Sequence, residues 1–192
     1  MAHTTPTPAT PTWLQSARDH WQWRGQSRPP FAHTPQPGQT SVWDFPRPPQ
    51  LATDTREVVI RWGDIEVART RRAIKVLETA HPPSFYLPWE DVATHLLQPC
   101  AGISFCEWKG PAQYWSLVHG NDRLDGVAWR YPHPLADAQA LSSCVAFYPA
   151  ALHCTVNGTP EFDSLESKET YIPNGINSLA AVFQILVVAR FK

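Results

Sequence analysis

The sequence predicts a mainly β, compact antiparallel domain with one or two short helices, and three observations carry that reading. Runs rich in β-branched and aromatic residues recur at short intervals: EVVIRW, IEVART, AIKVLET, SFYLP, GISFCEW, AQYWSLV, DGVAWRYP and CVAFYP. Turn-forming groups separate them, among them Gly63-Asp64, His81-Pro82-Pro83 and Lys109-Gly110-Pro111. Finally, twenty Pro and nine Trp in 192 residues favour turns, strands and large aromatic packing over long helices.

The elements follow in chain order. Residues 1–20 begin MAHTTPTPATPT, too poor in apolar groups to pack, and read as a disordered Thr/Pro-rich tail. Residues 21–55 mix Trp, Arg and Pro, so neither helix nor central strand suits them; an extended segment pinned by Trp21, Trp23, Phe31, Trp43 and Phe45 is expected. The β domain spans residues 56–160 and opens with a hairpin across Gly63-Asp64. AIKVLET and SFYLP are strands. WEDVATHLL places Val92, Ala93, Leu96 and Leu97 at helical spacing behind Glu90 and Asp91, which predicts a short helix. GISFCEW and AQYWSLV are strands around a Lys109-Gly110-Pro111 turn, the second with Tyr114 and Ser116 facing away from Trp115 and Leu117. LADAQAL is a helix of one or two turns before the last strands. In residues 161–192, LAAVFQILVVA is apolar for eleven residues, too few to cross a ~30 Å hydrocarbon layer as a helix rising about 1.5 Å per residue.

Charge and cysteine usage exclude several functions. A net charge of −1 without a basic stripe argues against a nucleic-acid partner, and no long apolar span predicts a membrane. No apolar leader is visible at the start, so a reducing, cytoplasmic setting is expected, with Cys100, Cys106, Cys144 and Cys154 as buried thiols. Zinc sites pair ligands two to four residues apart, whereas five residues separate Cys100 from Cys106 and nine separate Cys144 from Cys154, so no metal site is predicted. His81, His133 and His153 do not change this, since His153 and Cys154 alternate faces on a strand. There is no G-x-G-x-x-G, P-loop or G-x-S-x-G, and no cofactor is implied.

Taken together, SVWDFPRPP, VLETAHPPSFYLPWEDV, CEWKGPAQYW, VAWRYPHP, VAFYP and CTVNG closely resemble the domain-of-unknown-function family numbered 427, over Trp21 to Gly158. The resemblance implies a fold similar to the β-tent architecture of methionine sulfoxide reductase B, without its paired zinc cysteines. It implies almost nothing about activity: the nucleotidyltransferase label attached to the family finds neither a phosphate-cradling loop nor a carboxylate metal pair here. Members continue past the element matched by Val156-Asn157-Gly158 through a segment of the type PGGFYGGW; here EFDSLESKETYIPNGINS follows instead, an atypical C-terminal stretch.

The candidate residues cluster around CEWKG. Cys106 beside Lys109 is a thiol whose pKa an ammonium would lower, or else a core thiol next to a solvated turn. Glu78 and Glu107 offer carboxylates for acid–base work, or are exposed groups paired with Arg. Arg69, Arg71 and Arg72 form an anion clamp or a solvated rim. Tyr86, Trp108, Tyr114, Trp115, Trp129 and Tyr131 are core, unless some line a cleft suited to a flat small molecule. The leading expectation is a small-molecule-binding module with an aromatic-lined pocket, using Arg71, Glu107, Trp108, Tyr114 and Trp129 as contacts. The alternatives are a transferase- or hydrolase-type enzyme using Cys106 and Lys109 or Glu78 and Glu107, with Cys106, Lys109 and Glu78 as catalytic candidates, and a structural or interaction protein.

Overall fold

The computed structural model describes residues 10–36 and 39–160. Among them, eleven strands form two antiparallel sheets, in agreement with the mainly β expectation. The strands are β1 (Gln50–Asp54), β2 (Val58–Trp62), β3 (Ile65–Thr70), β4 (Ala73–Leu77), β5 (Ser84–Pro88), β6 (Leu97–Cys106), β7 (Gly110–His119), β8 (Asp122–Arg130), β9 (Cys144–Phe147), β10 (His153–Val156) and β11 (Thr159–Pro160). The large sheet has the order β1-β4-β5-β9-β8-β7-β6, and the small one β11-β10-β2-β3.

The period-2 alternation of these strands gives the large sheet two apolar faces. Leu87, Leu117, Ala128, Val145 and Phe147 join Val58, Ile60, Val67 and Val156 of the small sheet in one core. The opposite face carries Val76, Tyr86, Ala112, Tyr131, Cys144 and Ala146, with Cys106, Tyr114 and Trp129 packed against them. Register lines up Ile74, Tyr86, Ala146, Trp129 and Tyr114 as a single row across β4, β5, β9, β8 and β7. Tyr114 and Trp115 thus serve different cores, as their alternation predicts.

Four expectations need correction. The first is that residues 1–20 are a disordered tail: Thr12–Asp19 form a helix, α1, which buries Leu14, while residues 1–9 lie outside the described part. The signal was weak because α1 has a single buried apolar residue and no side-chain cap at Pro11. The large sheet also begins at Gln50, ahead of Arg56, since QLATD pairs with Ala73–Leu77. WEDVATHLL forms two 3-10 turns, Trp89–Asp91 and Thr94–Leu96, instead of a helix. Its backbone is diverted to β3: the Ala93 amide donates to the Val67 carbonyl at 2.8 Å, and Val92 bridges Ala68. LADAQAL does form the expected helix of one or two turns, a 3-10 helix over Ala136–Leu141.

The turn inside CEWKG is the correction that matters most. Cys106 pairs with Gly110, so the loop is Glu107-Trp108-Lys109, while Gly110 and Pro111 open β7. A three-residue hairpin loop closes on a residue with positive φ, and Gly110 supplies it at +100°. A Cβ there would also stand 3.1 Å from the Leu135 nitrogen, whose N–H donates to the Lys109 carbonyl at 3.0 Å. The LAAVFQILVVA run lies outside the described residues.

Candidate functional site

The CEWKG loop and the end of β4 meet on the aromatic face of the large sheet. Glu78 directly follows β4, and its carboxylate accepts from Lys109 Nζ at 2.5 Å and from Arg47 Nη1 at 2.6 Å. Arg47 comes from the Pro-rich approach to β1; its Nη2 donates to the Thr79 carbonyl at 3.0 Å, and its Nη1 stands 3.6 Å from Glu107 Oε1. Thr79 hydroxyl donates to the Phe45 carbonyl, tying the approach segment to the same corner. The side chains of Arg47, Lys109 and Glu78 are 1%, 9% and 10% exposed, so this is an interior charge cluster, and Lys109 is not the solvated turn residue its sequence setting allowed.

Burial and charge pull in opposite directions on each group. Burial raises the Glu78 carboxyl, but Lys109, His81 and Arg47 outweigh it and hold the group at about 2. Burial works against the Lys109 ammonium, yet Cys106 and Glu78 outweigh it and the net direction is upward. Burial lowers His81, so its imidazole is neutral near pH 7. Its Nδ1 is 3.0 Å from the Thr79 carbonyl and 3.3 Å from Arg47 Nη2, and one nitrogen cannot both donate to the first and accept from the second. Cys106 is pushed up by burial more than Lys109 lowers it, which leaves a protonated thiol. Iodoacetamide at neutral pH is therefore expected to alkylate Cys106 more slowly than free cysteine, as followed by peptide mass spectrometry. A faster rate would restore the thiolate nucleophile.

A strap from the N-terminal side closes the cluster. On α1, Trp13 packs edge-on against Phe105 at 4.9 Å, and Arg18 lies 4.7 Å over the Trp108 ring while its Nε donates to the Glu107 carbonyl at 2.9 Å. Beyond α1, the Trp21 ring lies under the Arg47 guanidinium at 3.3 Å, and its Nε1 donates to Glu107 Oε1 at 2.6 Å. Gly25 then lets the strap pass close beneath Phe45: φ is +88°, and a Cβ would stand 2.7 Å from the Phe45 carbonyl oxygen.

A model of the family described as Domain of unknown function (DUF427) matches residues 50–158, more than half of the 192-residue chain. The chain belongs to this family. No curated protein matches it. The DUF427 region contains Glu78, Cys106, Glu107, Trp108 and Lys109, whereas Arg18, Trp21 and Arg47 precede it.

Of the residues singled out by sequence, the DUF427 fold brings Glu78, Cys106, Glu107, Trp108 and Lys109 to one corner. Trp129 reaches it through Tyr86, to whose hydroxyl its Nε1 donates at 2.9 Å. Tyr114 sits further along the same row, its hydroxyl 2.7 Å from Ser104 Oγ. Arg71 is not brought there: its side chain is 66% exposed and pairs with Glu57 at 3.1 Å, while Arg69 and Arg72 pair with Glu57, Glu66, Glu90 and Asp91. The triplet is a solvated rim because Arg69 lies on β3, an edge strand of the small sheet, and Arg71 and Arg72 in the turn that follows it. Two shallow grooves, of ≈ 470 Å³ along α1 and ≈ 360 Å³ by Trp62 and Arg123, contain none of the named candidates. Among the described residues no group of His, Cys, Asp and Glu is arranged to hold a metal ion, and no helix is long and apolar enough to cross a membrane. Cys100, Cys106, Cys144 and Cys154 are all thiols.

Sequence reasoning missed Arg47, and assigned Trp21 only a pinning role. Arg47 stands in FPRPP, where prolines suppress any periodicity that could have marked one side chain as inward-facing.

Proposed function

We propose that the chain is a small-molecule-binding β module of the cytoplasm, with its ligand site at the Arg47, Glu78, Glu107 and Lys109 cluster. One observation carries this reading: Arg47 Nε and Trp108 Nε1 are buried donors with no acceptor among the described residues. A buried donor without a partner costs about 1–3 kcal/mol, and folded proteins keep few of them. Trp43, Trp115 and Arg130 also carry such donors, but no buried carboxylate is bonded to them. At the cluster, Arg47 Nε belongs to a guanidinium paired with Glu78, and Trp108 is the chain neighbour of Lys109, which shares that carboxylate; hydrophobic replacements would avoid the desolvation of these charges. A ligand's ring face or acceptor atom meets the donors, and the charges orient it.

The enzyme reading is less well supported. A nucleophilic thiol must be ionised and a nucleophilic lysine neutral, whereas Cys106 is shifted toward the thiol and Lys109 toward the ammonium. An interaction surface is also less well supported, because among the described residues the exposed large apolar ones are Trp13, Phe31 and Ile103, and the first two already stack on Phe105 and Trp43.

A thermal-shift screen of charged aromatic fragments at millimolar concentration, run on the full chain and on Glu107→Gln, tests the proposal. Glu107 is partly exposed, so that variant should keep its fold. Compounds that stabilise the parent chain and not the variant support the reading. No stabilising compound, or equal stabilisation of both proteins, overturns it.

A further inference from the structure

The corner between Arg47 and Glu107 is occupied by the chain's own Trp21. The indole presents its face to the Arg47 guanidinium at 3.3 Å and its Nε1–H to Glu107 Oε1 at 2.6 Å. These two contacts define a recognition geometry: a cation for an aromatic face, and beside it a carboxylate for an in-plane N–H. Both partners are held by other bonds than those to Trp21. Arg47 is fixed by Glu78 and the Thr79 carbonyl. Glu107 belongs to the hairpin loop closed by Gly110, whose pairing with Cys106 lies in the large sheet and not in the strap. Trp21 itself is only half-buried and follows a helix that buries one residue, Leu14. The socket is thus more firmly built than its occupant, as expected where a lightly packed segment opens before the body of the fold.

We propose that this socket binds planar N–H heteroaromatic compounds, of the indole or purine kind, and that Trp21 is the intramolecular stand-in such a ligand displaces. The inference rests on the binding-module reading and names the ligand class of that same site. Selectivity follows from the pairing. A hydrocarbon ring satisfies the guanidinium face but leaves the Glu107 carboxylate without its donor, and sites built around a hydrogen bond discriminate against analogues that lack it. Trp21 also lowers the affinity of the parent chain, because a ligand binds only the fraction of molecules in which the strap has left.

The test uses full-length Trp21→Ala, titrated by calorimetry and thermal shift with three probes: indole, 1-methylindole and naphthalene. Indole is expected to bind and to raise the melting temperature of the variant, and to bind the parent chain more weakly. 1-Methylindole and naphthalene should bind at least about ten-fold more weakly than indole, the loss of one charge-assisted hydrogen bond. Adding Glu107→Met, which removes the acceptor while keeping the length of the side chain, should bring indole down to the level of 1-methylindole. Equal binding of indole and 1-methylindole overturns the inference, as does no indole binding. If Trp21→Ala fails to fold by circular dichroism, Trp21→Phe keeps the ring and removes the donor; indole should then displace Phe more readily than it displaces Trp21, and failure to do so also overturns the inference. Charged fragments that stabilise the parent chain through Glu107 while indole fails would end the ligand class and leave the binding module standing. Indole binding to Trp21→Ala with no compound stabilising the parent chain would keep the socket chemistry and end the binding-module reading.

Discussion

Glu78→Gln is expected to destabilise the fold by about 3–5 kcal/mol, because it leaves the Arg47 and Lys109 cations in the interior without their shared carboxylate. For a chain of this size that is a fall in melting temperature of roughly 10 °C. The carboxyl sits at about 2 in the folded protein against an ordinary 4.5. The unfolded chain therefore takes up the proton first as pH falls. The contribution of Glu78 is whole above its ordinary value of 4.5 and is lost as pH drops toward about 2. Denaturant unfolding followed across that window should give a parent chain that weakens with acid and a variant whose profile is flatter. Some acid sensitivity should persist in the variant, since Asp54, hydrogen-bonded to Arg56, is also held at about 2. Adding Lys109→Met to Glu78→Gln should recover part of the loss by removing one unpaired charge. A single variant as stable as the parent chain, with an unchanged acid limb, would show that the cluster is not coupled as the geometry indicates.

Arg47→Ala is the second large effect, and it acts on the strap as well as the cluster. The side chain bonds Glu78 and the Thr79 carbonyl and stacks over the Trp21 ring. Its loss should cost about 1.5–3 kcal/mol, less than that of Glu78, because Lys109 still neutralises the carboxylate. The more telling readout is local. With the stacking gone, α1 and Trp21 should detach more often, and trypsin should cut after Arg18 or Arg24 faster than in Glu57→Gln, a surface control whose partners are the exposed Arg69 and Arg71. Equal cleavage rates in the two variants would mean that the strap is held by α1 and not by Arg47.

Much of the candidate site was legible as residue types, and much less as geometry. CEWKG marks the loop, and Glu78 was a candidate because it carries a carboxylate just past a predicted strand. What no local pattern could show is that Lys109, at the tip of a hairpin, is only 9% exposed. That burial comes from residues far along the chain: Leu135 against Gly110, Arg18 on the Glu107 carbonyl, and Glu78 on the ammonium itself. The same distance in sequence hid Arg47. Its partners Glu78 and Thr79 lie 31 and 32 residues away, and its neighbours are prolines.

The sequence by itself determined most of the strands, the turn at Gly63-Asp64 and the opposite facing of Tyr114 and Trp115, because backbone propensity and period-2 alternation act between neighbours. It also determined the family, whose motifs are short local stretches such as CEWKGPAQYW and VLETAHPPSFYLPWEDV. Tertiary structure alone decided where the charges went. A salt bridge between Glu78 and Lys109 depends on pairing β4 into the sheet and folding the β6–β7 loop over its end, and it survives burial only because Arg47 arrives from a third segment. Whether a lysine is a solvated turn residue or an interior cation is a question of long-range packing, and short-range pattern has no means of answering it.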